Sequence, residues 1–515
     1  MKKVVLSAAA LMVGAIAFAQ QNTGTSEQDG SDNLIRVRQV GVQNSTTLDQ
    51  DGDNNQAGVF QSGSNANENG LVTPAGFSND AQITQVGDYN AAETVQLGDE
   101  NNATVNQTSP AGTQEADGND AYIQQGVGYA VNNTATITQD GTANKAKTRQ
   151  YYDNNLAETT QSGNANTADV RQNSPSNDPT ALDLDSSGDA NDAFVDQTGD
   201  RNGALVRQNT RPNQLNAFIG DNLVDVDQEG NDNFSFQTQH GEGNVGTVIQ
   251  MGDGNYANQD QDGLRNLGTI NQGSEAAFAG STTDVLADSK FSDAIFSGAD
   301  ITGFNGTNAV NDKAFQVQDG VDNLAEAHQF GDEQTTNLAI QMQTGAANKA
   351  LIAQNNDGST QGDANYAKQT QGSFWGDSNN VAVTVQWGRR NASETTQFGS
   401  DNEVATSQFY DDNTVRVVQS GTANDAQTEQ RGVEGFMVIV QEGTDHEFYA
   451  AQGNSASGAA SSGNQLSVMQ QDGGGDGFLG EEYCEPIIEM PMDMPMPGLD
   501  LDINLDLCDD PQQGC

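Results

Sequence analysis

The residues that could do chemistry in this 515-residue chain are few: His240, His328 and His446, and Cys484, Cys508 and Cys515. An imidazole acts as a base or a metal ligand only with a nucleophile, a carboxylate or a second ligand at a suitable spacing. The three histidines stand singly in different stretches, with no Cys, Ser or carboxylate partner at a motif spacing. The cysteines all lie near the C-terminus and lack the close pairs of a zinc site. In an exported protein they can form one intrachain disulfide, leaving an odd thiol able to cross-link chains. Asp500, Asp502 and Asn504 begin like a calcium loop, but Leu505 and Pro511 occupy the positions that need Gly and Glu. Gly252-Asp253-Gly254-Asn255 only superficially resembles a calcium-binding glycine repeat. No glycine-rich turn continues into Gly-Lys-Ser/Thr. The carboxylates are too numerous for any pair to be informative. The sequence therefore predicts no enzyme, no metal site and no cofactor.

Composition narrows the field further. Lys and Arg number 20 against 72 Asp and Glu, a formal net charge of -52. Such a polyanion repels phosphate, which argues against a nucleic-acid partner. Only 34% of residues are hydrophobic, against the roughly 45–50% of an average globular domain. A thick apolar core is excluded, and scattered polar residues would mean disorder.

The polar residues are ordered instead. Glutamines recur at intervals of 11, as in Gln39-Gln50-Gln61, Gln85-Gln96-Gln107 and Gln139-Gln150-Gln161-Gln172. The longest series runs in steps of 11 from Gln386 to Gln452 and includes Gln397 and Gln419. After the Gln comes x-Gly-x-x-Asn, as in Gln85-Gly87-Asn90, Gln96-Gly98-Asn101 and Gln139-Gly141-Asn144. Gln161-Gly163-Asn166, Gln197-Gly199-Asn202, Gln343-Gly345-Asn348, Gln397-Gly399-Asn402 and Gln419-Gly421-Asn424 repeat it, and Gly41 and Gly52 follow Gln39 and Gln50. The unit is Gln-x-Gly-x-x-Asn-x-Ala-x-x-x-Gln, with about thirty half-units traceable.

Read at period two, Asn101, Ala103, Val105 and Gln107 share one face of an extended strand, as do Asn166, Ala168, Val170 and Gln172. Spacings of three and four, which a helix needs, are absent. The Gly-x-x-Asn segment is the bend, with Gly supplying a positive φ. The expected fold is all-β: a β-solenoid, or cross-β stack, of ~11-residue strand-turn half-repeats, two per layer. About fifteen layers at the ~4.8 Å strand spacing give a rod roughly 70 Å long. Inward Asn and Gln side chains stack into amide ladders, with Ala, Val and Ile between them. The outward positions are expected to be mostly polar or charged, and the end strands to be open edges.

Other segments depart from the repeat. Residues 1–19 read as a secretory signal peptide: Lys2 and Lys3, an apolar run, then Ala17-Phe18-Ala19. No later stretch is apolar enough to span a membrane. The register breaks near 63–78, 108–118 and 173–190, around Pro74, Pro110, Pro175 and Pro179, and these are read as loops. Residues 33–272 and 318–470 are the repeat regions. Residues 273–317 between them are degenerate repeats or an insertion, with degraded layers the default reading. Residues 471–515 form an acidic tail with Met, Pro and Cys, either a cap on the last layer or a flexible extension.

The repeat resembles the curlin repeat of curli subunits, the extracellular amyloid fibres of bacterial biofilms. The resemblance covers most of residues 33–470. It implies a secreted, cell-surface β-solenoid that polymerises with itself for adhesion and matrix building. It also implies partners among other curlin-type subunits, and an outer-membrane export and nucleation machinery in a diderm bacterium. Residues 20–32 would be the counterpart of the family's N-terminal export-targeting segment. The alternative on the same fold is a monomeric surface adhesin with capped ends.

Overall fold

The computed structural model describes residues 21–62, 77–112, 114, 117–151, 153–172, 191–208, 220–273, 309–331, 337–355, 364–372, 377–453 and 461–472. The signal-peptide reading, most of the predicted loops and Cys484, Cys508 and Cys515 lie outside these residues.

The fold is a β-solenoid. Thirty-four strands, β1 to β34 in chain order, occupy the described residues. They form one sheet of 16 strands and one of 18, the latter including two-residue pieces at Ala309–Val310 and Ser461–Ser462. The chain alternates between the sheets, so sixteen full layers stack, each with one strand per sheet. At ~4.8 Å per layer the rod is about 75 Å long. β1 (Thr23–Asp29) opens the first sheet, which we call sheet A, and pairs in parallel with β3 (Ser45–Asp51), matching Gln28 to Gln50. β2 (Leu34–Gln39) opens sheet B and pairs in parallel with the next strand there, matching Gln39 to Gln61.

Inward positions follow the period-two rule. Ala103, Val105, Ala168 and Val170 are all fully buried. Burying Ala, Val and Ile in a thin layer returns roughly 25 cal/mol per Å² of apolar surface, so the interior gains little per layer and much over sixteen.

The regular bend has two left-handed residues. The first is the repeat glycine: Gly41, Gly52, Gly87, Gly98, Gly141, Gly163, Gly199, Gly345, Gly399 and Gly421 all have positive φ. At Gly163 the layers also touch, because an added Cβ would lie 2.0 Å from the Gly199 carbonyl oxygen. The second left-handed residue is the one preceding the repeat Asn, and it is often not a turn former: Tyr89 (φ 60), Ala165 (φ 57) and Arg201 (φ 57). A left-handed L-residue costs roughly 1–2 kcal/mol, which the ladder bonds of the following Asn offset.

The structure corrects four sequence expectations. The stack begins at Thr23, ahead of residue 33, so residues 23–29 of the supposed targeting segment form a solenoid strand. Of residues 273–317, residues 274–308 lie outside the described residues, while Ala309–Val310 and the start of Lys313–Val321 are repeat strands. β19 (Leu267–Gln272) pairs directly with β22 (Leu324–Phe330), and β18 (Tyr256–Leu264) directly with β21 (Lys313–Val321), which leaves no place for a layer between them. Repeat structure resumes at Ala309, earlier than the expected 318.

The interior is not uniformly small and β-branched. In sheet B, Gln237, Gln259, Gln316, Gln341 and Gln369 occupy inward positions where other layers carry Val, Ile or Thr. Nor is the outer face polar throughout. Leu351, Val383 and Val385 sit at outward positions of sheet A yet are 0–2% exposed, packed with Phe330, Ala353 and Ala405. The run Val381-Ala382-Val383-Thr384-Val385 was the sequence signal, since a continuous apolar strand marks burial on both faces.

Candidate assembly interface

The predicted ladder residues are buried, except Gln39 in an end layer, which is partly exposed. Partners are one layer apart, not one half-repeat apart, so the series at steps of 11 alternates between two ladders. Gln50, Gln85, Gln139, Gln161 and Gln197 belong to sheet A. Gln39, Gln96, Gln343, Gln397 and Gln419 belong to sheet B. Gln139 donates from Nε2 to Gln161 Oε1 at 2.9 Å, and Gln161 to Gln197 at 2.8 Å. Gln397 donates likewise to Gln419, and Gln419 to Gln441. The same Nε2 also reaches the opposite sheet: Gln96 donates to the Asp80 carbonyl at 2.7 Å and Gln139 to that of Asp120 at 3.0 Å. The Gln row therefore ties layer to layer and sheet to sheet.

The Asn rows work differently. Asn90, Asn144, Asn166 and Asn202 stand at the starts of sheet B strands, and Asn101, Asn348, Asn402 and Asn424 at the starts of sheet A strands. The Asn166 backbone N–H donates to Asn144 Oδ1 at 3.0 Å, and Asn166 Nδ2 donates to the Gly199 carbonyl of the next layer at 2.7 Å. Asn402 and Asn424 repeat the arrangement with Gly421 and Gly443. Asn thus fastens the bend of its own layer to the glycine turn of the next. Three positions of these rows hold other residues: Asp312, Gly435 and His446.

Asp312 was not singled out from the sequence. It is fully buried, its backbone N–H bound to Asn255 Oδ1 at 3.0 Å. Its Oδ1 accepts from the Asn337 N–H at 2.7 Å, with Asn337 Nδ2 3.4 Å from Oδ2. Burial pushes its carboxyl up to about 7, against the partial relief of those two bonds. The available signal was an acid standing where the repeat asks for Asn.

The histidines are not brought together. His446 continues the Asn row beside Asn424. His328 is buried at an outward position, its Nε2 3.6 Å from Glu326 Oε2 two residues back. His240 is buried as well. Among the described residues no cluster of three or more His, Cys, Asp or Glu could hold a metal, and no helix is long and apolar enough to cross a membrane.

The Gln rows all run one way and the Asn rows the other, since each Asn Oδ1 accepts from the higher-numbered Asn, and the two ends of the rod therefore differ. In the Gln rows the amide nitrogen points to the higher-numbered layer. At the N-terminal end the Oε1 atoms of Gln28 and Gln39 receive no ladder donor among the described residues. At the other end lie β32 (Glu447–Gly453) and β34 (Gln465–Gln471), where Gln452 and Gln470 donate only to backbone carbonyls of the opposite sheet. The inward side chains of the end layers are uncovered: β1 is exposed along its whole length and Val37 of β2 is 43% exposed, whereas equivalent residues inside the rod are buried. One end offers Gln acceptors and the other Gln donors, along two strand edges each that pair with no further strand among the described residues.

The profile of the curlin associated repeat matches residues 76–108, which carry three of the strands described above, Asp80–Val86, Ala91–Asp99 and Asn102–Thr108. No curated protein matches the chain. The class is thus a β-solenoid whose repeat is similar to that of the curlins.

Proposed function

We propose that this chain is a structural subunit that polymerises end to end into curli-like extracellular amyloid fibres serving adhesion and biofilm matrix. The observation that carries the reading is the pair of complementary ends, which no strand covers among the described residues. A second copy laid on the last layer continues both sheets, both Gln rows and the sheet B Asn row, while the sheet A Asn row ends on His446. Such a head-to-tail contact does not close, so it propagates as a filament. An exposed pair of strand edges templates added chains in the same way. The working residues are the ladder amides, the inward Ala, Val and Ile, and the turn glycines. No residue is assigned a catalytic role. Export across the outer membrane and cooperation with other curlin-type subunits belong to the same reading.

The test is a thioflavin-T time course on residues 20–515, purified in denaturant and diluted, with and without preformed seeds. A lag abolished by seeds supports templated growth from the ends. A flat trace from a β-rich monomer overturns it and favours a monomeric adhesin with capped ends.

A further inference from the structure

Three consecutive layers of the rod carry opposite charges on their two outer faces. On sheet B the layers are β10 (Lys145–Gln150), β12 (Thr167–Gln172) and β14 (Gly203–Gln208). Their outward rows present Lys145, Lys147, Arg149, Arg171 and Arg207 around one acid, Asp169. Asp169 is held by Arg171 Nε at 2.9 Å and lies 3.4 Å from Arg149 Nη2. Asp120 of the preceding sheet B strand stands level with Lys145, and within the three layers the outward rows still hold five cations to one acid, in a chain where acids outnumber bases 72 to 20.

On sheet A the same three layers are β11 (Leu156–Asn164), β13 (Asp192–Thr198) and β15 (Leu223–Glu229). Their outward rows present Glu158, Asp192, Asp196, Asp225 and Asp227, with Asp196 stacked directly on Asp227 and no cation in those rows. Asp196, Asp225 and Asp227 are exposed. Desolvation, then mutual repulsion, raises the carboxyls of Asp225 and Asp227. In isolation this patch works against its own fold.

We propose that the basic outer face of β10, β12 and β14 docks against the acidic outer face of β11, β13 and β15 of a second copy. Rods then associate side by side, pointing the same way and at the same axial height. The charge complementarity is between opposite faces of the same three layers, so two rods aligned without axial offset bring the patches together. The contact is heterologous and leaves each rod with a free acidic face on one side and a free basic face on the other, so it extends into a lateral array. The contact is separate from end-to-end growth and applies to single rods as well as to fibres. Charge pairs across such a face set register and orientation and weaken with salt.

The test uses the mature full-length chain at about 20 mM and about 500 mM salt, reading lateral bundling by electron microscopy and end growth by thioflavin-T. If no fibres form, the same comparison is read from sedimentation of the rods. Wild type bundles at low salt and separates at high salt. D196N/D225N/D227N relieves the repulsion, so it folds at least as stably, yet its lateral association falls roughly tenfold or more while end growth is unchanged. D196K/D225K/D227K and K145E/K147E/R149E each stay single alone and bundle again when mixed. The proposal is overturned if D196N/D225N/D227N bundles like wild type, or if the two charge-reversed chains fail to rescue one another. It is also overturned if wild type stays single at low salt but its basic face takes up alginate, which would make an acidic polysaccharide the occupant.

Discussion

Two stretches of the rod solve the same interior with different chemistry. In the N-terminal layers Leu48, Ile83, Val105 and Ile137 stack above one another between rows of Ala, forming a thin apolar column. In the layers from β16 (Phe234–Glu242) to β25 (Tyr366–Gln371), sheet B places glutamine at the equivalent inward position. Gln259 donates to Gln316 at 2.8 Å, Gln316 to Gln341 at 2.9 Å and Gln341 to Gln369 at 3.1 Å. The longer side chain needs room, and sheet A supplies it with Gly246 and Gly268, where a Cβ would come within 2.3 Å and 2.4 Å of the Gln259 amide. The backbone is the same in both regions. A parallel in-register stack accepts either apolar volume or amides, provided each amide finds its copy in the next layer. The cost appears where the row starts, since neither polar atom of the Gln237 side chain has a partner.

The difference can be broken most forcefully at Gln316. Gln316→Leu leaves Gln259 without its acceptor, Gln341 without its donor and the Thr269 carbonyl without the bond it now receives at 2.7 Å. A loss of roughly 2–5 kcal/mol is expected, concentrated in those layers. A long repeat stack need not unfold in one step, so hydrogen exchange resolved along the chain is the measurement. Protection unchanged in β18 and β21 would remove the amide row from the stabilising interactions.

Asp312 sharpens the same contrast through pH. Its folded carboxyl stands at about 7 against an ordinary 3.8, so the folded state holds the proton more tightly. The stability linked to it is complete below about 3.8, declines as pH rises and is lost through about 7. Asp312→Asn restores the Nδ2 donor that other rungs of the row use. It should stabilise the layers around β21 at pH 8 by on the order of a few kcal/mol and do little at pH 4. Equal melting shifts for both chains at the two pH values would contradict this.

The smallest effect belongs to the apolar column. Ile137→Val removes one buried methylene and should cost about 0.5–1.5 kcal/mol, with hydrogen exchange altered only near Thr134–Thr142. A wider loss of protection would mean that the apolar layers are as tightly coupled as the amide layers.

Much of this was legible in the chain. Gly163 and Asn166 announce the bend, and Ala168, Val170 and Gln172 the inward face, because a strand's alternation and a turn's φ are local constraints. The second left-handed residue was not legible. Ala165 and Arg201 have no preference for that conformation and adopt it because the buried Asn beside them is fixed from both layers. The amide row at Gln316 could be counted in the sequence but not interpreted, since its value depends on Gly246 and Gly268 in the facing sheet.

The sequence by itself determined the period, the all-β stack, and the set of Asn, Ala, Val, Ile and Gln that points inward. Those follow from covalent geometry repeated every 11 residues. Only the tertiary structure decided which copies meet. Ladder partners stand 22 residues apart in Gln139 and Gln161, but 36 in Gln161 and Gln197 and 57 in Gln261 and Gln318. Chain between two layers can lengthen at a modest entropic cost, since loop closure grows only logarithmically with length. Register is then set by matching identical side chains across layers, an interaction between distant residues that no local stretch of sequence contains.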